Sequence, residues 1–399
     1  MKITINRQDF RKAFATATSI TSSDSRSPYS SVLLAPKKNH VLLTSTNQNI
    51  TLQTKVRAKC DPGPDVLLSR RVRPALSALD TKNVRLEFID GRVKISAVRV
   101  SSYKATIVLK TLDRKRFPAL PTFVADGPNV TIKPTLFRRA VESTWFATRQ
   151  FVNNSMSILR LVNISVSENK MTFTATDGTR IARFVADVSC KKSKRLDFFN
   201  IHPDTLKQLR RLTRKSPVKI CISNDNCAVF SFGDETRAIV PLALGKFPNL
   251  DSVFDSFDNE SNHYETVSLK ANEFAAMLSQ ASIMSTRAHQ VLRLSLANNR
   301  LWSEIRTPEV GEARSSIEAL SQSNNSLVTL DVQLLREGMD VLNQRARVNL
   351  SIPDKTMPLK IFTKNFTYVV MPFDNNTQQR HAYSDAIATS ANLAGPVGR

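Results

Sequence analysis

Cysteine, glycine, histidine and tryptophan are all scarce: 399 residues hold four Cys, ten Gly, five His and two Trp. The four thiols (Cys60, Cys190, Cys221 and Cys227) are too few and too scattered for a disulfide framework. Ten glycines leave little material for phosphate-cradling turns, and neither a GxxxxGK[ST] loop nor a GxSxG nucleophile turn occurs. The histidines stand apart, and CxxC and HExxH are missing, so no metal or other cofactor is expected. No apolar run approaches the roughly 18 to 20 residues of a membrane-crossing helix. The opening MKITINRQDF lacks the apolar core of a signal peptide, so a cytoplasmic protein with no membrane partner is expected. With no catalytic constellation in view, an enzyme is not expected.

Acidic residues are the other shortage. Lys and Arg number 57 against 34 Asp and Glu, a net charge of +23, while 41% hydrophobic content excludes a wholly disordered chain. The length accommodates two to four domains with real cores. The excess is a gradient: residues 1–125 hold 23 basic and 8 acidic side chains, residues 126–255 hold 20 and 12, and residues 256–399 hold 14 and 14. A basic excess on this scale points to a polyanion, of which nucleic acid is the commonest in a cytosol.

Three segments share one plan, a short alternating strand running into an amphipathic helix: KITINRQDF from Lys2, VTIKPTLF from Val130 and VSLKANEF from Val267. Phe10, Ala13, Phe14 and Ala17 fall at i, i+3, i+4 and i+7, which gathers them on one helical face. Phe137, Ala140, Val141 and Thr144 repeat the spacing, as do Phe274, Met277, Leu278 and Ala281. Asn6 and Asn272 are candidate N-caps, and Pro134 suits a first helical turn. Other landmarks recur 130 residues apart: LLTSTN ending at Asn47 answers TFTATD ending at Asp177, and RFPALP at Phe117 answers KFPNLD at Phe247. The third unit closes on VVMPF, with Met371 and Pro372. Duplicated units follow, divided as 1–122, 123–255 and 256–373, with 374–399 a polar tail expected to be disordered.

A second helix is expected in each unit, within LLSRRVRPALSALD, HPDTLKQLRRLTRK and DVQLLREGMDVLNQRAR. Between the helices run short alternating strands such as VRLEFI, VKISAV, KMTFTA, VKICIS and LKIFTK, separated by Asn, Asp and Gly turns. Each unit is therefore α+β, two helices on antiparallel sheet. Lys207, Arg210, Arg211 and Arg214 form a basic stripe nearly opposite Leu206, Leu209 and Leu212. A solvated charged face explains any single helix of this kind. Because Arg70, Arg71, Arg73, Arg138, Arg139, Arg345 and Arg347 make the analogous helices basic too, a shared polyanion surface accounts for more.

In order and at these distances, MKITINRQDF, ATDGTRIARF (from Ala175 to Phe184), KFPNLD and TYVVMPF resemble the bacterial sliding clamp family, the beta subunit of DNA polymerase III, from Met1 to Phe373. The resemblance implies a homodimeric ring joined head to tail, three similar domains per subunit, helices lining a hole and sheets outside. It implies a non-catalytic processivity factor that surrounds duplex DNA without reading sequence, works with a DNA polymerase and other clamp-motif DNA enzymes, and is opened by a clamp loader. Phosphates attract basic helices electrostatically, and topology supplies retention. The DNA-facing positions it implies are Arg11, Arg70, Arg73, Arg138, Arg139, Gln150, Lys207, Arg210, Arg211, Arg214 and Arg345.

The resemblance also implies a pocket between the middle and last domains for short partner peptides, at Leu159, Thr176, Gly178, Thr179, Arg180, Ile181, Pro248, Val253, Val369, Met371, Pro372 and Phe373. These suit an apolar groove with a polar rim, although a plain hairpin turn equally explains Asp177 and Gly178. Ring closure would set Ile107 and Leu109 against Ile283 and Met284. Thr179 stands where the family commonly has histidine, and Ser252 replaces a basic residue. The stretch between Gln150 and Leu159 is longer than expected, and residues 374–399 continue past the usual end. Lys55, Arg57, Lys59, Lys191, Lys192, Lys194 and Arg195 add charge on strands and loops outside the hole, fitting an outer surface for DNA or an acidic partner, or a clamp tuned to an unusual replicon. One alternative is a monomeric or accessory clamp-fold DNA binder acting in repair or in phage or plasmid replication. The other is an enzyme on the same fold.

Overall fold

Each of the three repeated openings folds as its spacing predicts, a strand handing over to a helix. The structure is a computed structural model, which describes residues 1–98, 105–120, 129–148, 158–191, 196–223, 226–259, 264–287, 289–320, 326–343, 345–353 and 357–373. Gln150, the stretch up to residue 157, Lys192, Lys194, Arg195 and the tail 374–399 lie outside the described residues. The α-helices among those described are α1 (Arg7–Thr18), α2 (Val72–Ala78), α3 (Pro134–Glu142), α4 (Pro203–Leu212), α5 (Asp251–Asp255), α6 (Ala271–Ile283) and α7 (Val332–Asp340). Strands Lys2–Asn6, Asn129–Ile132 and Tyr264–Lys270 lead into α1, α3 and α6. Every side chain of the three predicted apolar faces is buried, from Phe10 and Phe14 to Phe137 and Phe274. A fully buried Phe contributes about 1.5–3 kcal/mol relative to an exposed one, so these faces fix each helix to its sheet.

Helix ends depart from the expectation in instructive ways. Asn6 caps α1 as predicted, accepting from the N–H groups of Gln8 and Asp9. Asn272 does not cap α6: the helix begins at Ala271, so Asn272 lies inside its first turn, and the N-cap position is Lys270. Asp331 caps α7 through the N–H groups of Gln333 and Leu334. The second helices are shorter than the patterns suggest. Val66–Ser69 is a strand, α4 stops at Leu212 before Arg214, and α7 stops at Asp340 before Arg345, while Arg347 opens the strand Arg347–Pro353.

The described residues group into two compact units, and the middle segment contributes to both. The first comprises Met1–Phe137, Val188–Lys194 and Asp204–Leu242. One of its sheets runs Thr51–Cys60, Lys2–Asn6, Asn83–Ile89, Arg92–Val98, Thr106–Lys110, all antiparallel. The other runs Val66–Ser69, Ser31–Lys37, His40–Thr46, Thr51–Cys60, Thr236–Pro241, Cys227–Phe232, Val218–Ser223, Asn129–Ile132 and residues 188–191. Helices α1 and α2 close one core over Ile3, Ile5, Leu34, Leu86 and Ile95.

The second unit comprises Arg138–Asp187, Arg195–Pro203 and the chain from Ala243 onward. Its larger sheet runs Leu196–Ile201, Val162–Ser167, Lys170–Thr176, residues 180–187, Phe366–Val370, Leu359–Phe362, Arg347–Pro353, Tyr264–Lys270. A four-stranded sheet runs Gly311–Glu318, Arg300–Thr307, Val291–Ala297, Leu327–Asp331. Three hairpins turn on two residues at positive φ, Asp90–Gly91, Glu168–Asn169 and Asn298–Asn299. That backbone matches the right-handed strand twist and favours Gly and Asn. The fold is α+β with antiparallel sheets.

Candidate partner-binding groove and basic helices

Within the second unit, the apolar residues expected at a pocket do come together. Leu159, Ile181 and Val369 are buried in one cluster with Phe247 and Leu250, and Val253 and Met371 are half-buried against it. Register explains the meeting of distant segments: Ile181 faces Val369 across adjacent antiparallel strands. Ile158, Phe254 and Phe257 complete the half-exposed margin, and the sequence reading missed them. Their signal was present, because Leu250, Val253, Phe254 and Phe257 sit at i, i+3, i+4 and i+7 around α5.

Two cations hold that margin. Arg183 lies over the Phe254 ring at 3.5 Å and reaches Asp251 at 3.7 Å, and burial pulls its guanidinium below the ordinary arginine range against the pull of Asp251. Lys360 sits 4.6 Å from the Phe257 centroid, and burial lowers its pKa as well. Cation–ring contacts of this kind are worth about 0.5–2 kcal/mol, more where desolvated.

The polar positions divide. Thr176 is buried, donating its hydroxyl to the Arg180 carbonyl at 2.7 Å and accepting the Gly178 N–H at 3.1 Å. Asp177 closes the turn by accepting from the Thr179 N–H and hydroxyl at 3.0 and 2.7 Å, and Gly178 takes a φ of 93° that favours glycine. The Thr179 carbonyl accepts the Met371 N–H at 2.9 Å, tying this turn to the cluster. Pro248 is buried, and Pro372 and Phe373 are half-buried, the latter donating its N–H to the Thr329 carbonyl at 2.7 Å.

Arg180, expected at the rim, is 7% exposed. Its Nε donates to Asp177 at 2.9 Å, its Nη2 to the Phe146 carbonyl at 3.1 Å, and its Nη1 pairs closely with Glu337 of α7. Burial alone would lower its pKa, but nearby Tyr368, Asp177 and Glu337 outweigh it and raise it. The neighbouring Tyr368 is fully buried, donates to the Leu334 carbonyl at 2.8 Å, and is pushed well above the ordinary phenol range by burial. Arg180 is thus a buried clasp joining the Asp177 turn, Glu337 of α7 and the Phe146 carbonyl, in place of the expected rim position.

The basic positions are solvent-facing on or beside their helices. Arg11 on α1, Arg73 on α2, Arg139 on α3 and Arg211 on α4 are exposed, while Arg138, Lys207 and Arg210 are half-buried. Lys207 pairs with Asp204 at 3.1 Å, and Arg70, before α2, donates to the Ser22 carbonyl at 3.0 Å. Arg214 and Arg345 are exposed beyond the ends of α4 and α7, so the predicted helical stripe is shortened.

Thr106–Lys110, which carries Ile107 and Leu109, and Gly311–Glu318, which passes beside Met284, each pair on one side only among the described residues. Ile107 and Leu109 are half-buried against the first unit's core, with Val108 turned to the opposite, exposed face. Ile283 is 70% exposed at the end of α6, and Met284 is half-buried.

Residues 1–121 match the DNA polymerase III beta subunit N-terminal domain, and residues 131–249 match the central domain of the same subunit. The beta sliding clamp of Chlamydia pneumoniae is 21% identical over 382 residues, covering 93% of this chain and 98% of that protein. The solved DNA polymerase III subunit beta of Pseudomonas aeruginosa superposes with a TM-score of 0.82 at 21% identity, covering 94% of this chain and 100% of that one. The DNA polymerase sliding clamp of Bacillus subtilis gives 0.81 at 18% identity, over 94% and 99%. The two domain matches together span more than half of the sequence, and the chain belongs to the DNA polymerase III beta subunit family.

Proposed function

We propose that this chain is a DNA sliding clamp, a non-catalytic processivity factor of the cytoplasm that closes as a homodimer around duplex DNA. In this reading residues 1–122, 123–255 and 256–373 are its three domains, and a separate clamp loader opens the ring. The observation that carries the reading is the threefold strand-to-helix unit, each with its apolar face buried, together with the basic side chains that α1, α2, α3, α4 and α7 leave to solvent, α6 itself carrying no Lys or Arg. Such helices attract phosphates and offer no base-reading geometry, which suits sliding. The strand edges of Thr106–Lys110 and Gly311–Glu318, each without a second partner strand among the described residues, support head-to-tail closure, because such an edge is satisfied by another strand. Light scattering tests closure: the mass of two chains is expected, and a persistent monomer would favour the accessory DNA binder.

The apolar cluster around Leu159, Ile181, Val253, Val369 and Met371 is the seat for a short peptide from a polymerase or another clamp-motif DNA enzyme. Val253→Asp is expected to weaken a polymerase peptide at least about tenfold, since it sets an unpaired carboxylate against an apolar ligand. Its stability should fall by only about 1 kcal/mol, because Val253 packs on the edge of the cluster and is half-exposed, so the variant stays folded in the binding assay. Unaltered peptide affinity by calorimetry would remove Val253 from the seat.

A further inference from the structure

Strand alternation sorts the first unit's charge as sharply as its core. In the five-stranded sheet, Ile3, Ile5, Leu86 and Ile95 face the α1 core, and the residues between them turn the opposite way. Register places those outward residues in rows. One runs Lys59, Thr4, Arg85, Ser96, Thr106, and the next runs Lys2, Glu87, Lys94, Val108, with Arg92 opposite Lys110 beyond. All six cations are exposed. Glu87 is the carboxylate within these rows, 3.8 Å from Lys94, and Asp61 and Asp90 stand in the turns at the strand ends.

Neighbouring strands lie about 4.8 Å apart and alternate residues about 6.8 Å apart along a strand. The cationic heads therefore crowd within a Debye length of about 8–10 Å, where their potentials add. Like charges gathered on one sheet face oppose folding, so the stability of the unit does not account for them. We infer that this sheet face, turned away from α1, binds duplex DNA through its phosphates, as a surface separate from the basic helices. The rows contain no aromatic side chain on which an unpaired base could stack. Val108, and Ile89 opposite Arg92, are the large apolar groups among them, two side chains against six cations and too little to anchor an acidic protein. The inference does not depend on ring closure.

The test uses the full-length chain and a covalently closed duplex minicircle, which a closed ring cannot thread, followed by fluorescence anisotropy. The wild type is expected to bind with an affinity that falls steeply with salt. The triple variant Lys59→Glu, Arg85→Glu, Lys94→Glu is expected to lose at least tenfold, and its slope of log affinity on log salt to flatten by about 3, near 0.9 per lost phosphate contact. Reversing Arg210 and Arg211 on α4 should cost far less on this substrate. Should the reversal triple unfold, the neutral triple Lys59→Gln, Arg85→Gln, Lys94→Gln carries the test, with at least a threefold loss expected. Undiminished binding by a folded triple variant overturns the inference, as does an equal loss from the α4 variant. Binding of polyglutamate with no binding of the minicircle also overturns it, giving the face to an acidic protein.

Discussion

Arg180→Ala is expected to destabilise the chain by about 3 kcal/mol, read from denaturant midpoints. The guanidinium is 7% exposed and meets Asp177, Glu337 and the Phe146 carbonyl, with its centre 5.4 Å from the Phe146 ring. Truncation leaves Asp177, 16% exposed, without its cation, whereas Glu337, 50% exposed, can turn to water. Breaking a buried pair costs about 3–5 kcal/mol, and the freedom of Glu337 places this case at the low end. Arg180→Lys should recover little, because one ammonium cannot serve three differently placed acceptors. A loss below about 1 kcal/mol would show that the clasp stabilises little, as exposed pairs do. The same variant should loosen the partner groove, since the Asp177 turn carries the Thr179 carbonyl that holds Met371.

Gly338→Ala on α7 is the second large effect, and its sign separates two physical terms. Helix propensity alone favours alanine by about 1 kcal/mol. A methyl group at this position, however, would drive into the ring of Tyr368. That ring cannot retreat: its centroid is 5.6 Å from Phe146 and 6.2 Å from Phe366, and its hydroxyl is tied to the Leu334 carbonyl. Overpacking costs about 1–3 kcal/mol or more, so a net destabilisation of about 2 kcal/mol is expected. Combining the change with Tyr368→Leu should cost less than the two single changes summed, the mark of a shared contact. Stabilisation by Gly338→Ala would mean that propensity outweighs the packing.

What the sequence disclosed follows from the range over which each signal acts. The three strand-to-helix openings were legible because Phe10 and Phe14, or Phe137 and Val141, carry their periodicity within one helix. Asn6 was legible as a cap for the same local reason, and Asn272 was misplaced because a helix start can shift by one or two residues without changing the pattern. Helix length was not legible: the basic residues at 214 and 345 continue the charge pattern after the backbone has left the helix. Arg180 could be placed near the groove by its neighbours Thr176 and Ile181, but its burial depends on Phe146 and Glu337, 34 and 157 residues away. Helix α5 was within reach of the sequence, since its apolar spacing was there to see. Only five of its residues are helical, fewer than the two turns over which a helical period stands out from its surroundings.

The most direct test of the clamp reading is retention on DNA. The loader-assembled protein should stay on nicked circular duplex through a high-salt wash and leave once the circle is cut, because closure holds it when the phosphate contacts are screened. Release from circular and linear DNA alike, in the presence of a competent loader, would contradict encirclement and leave a protein that binds by charge alone.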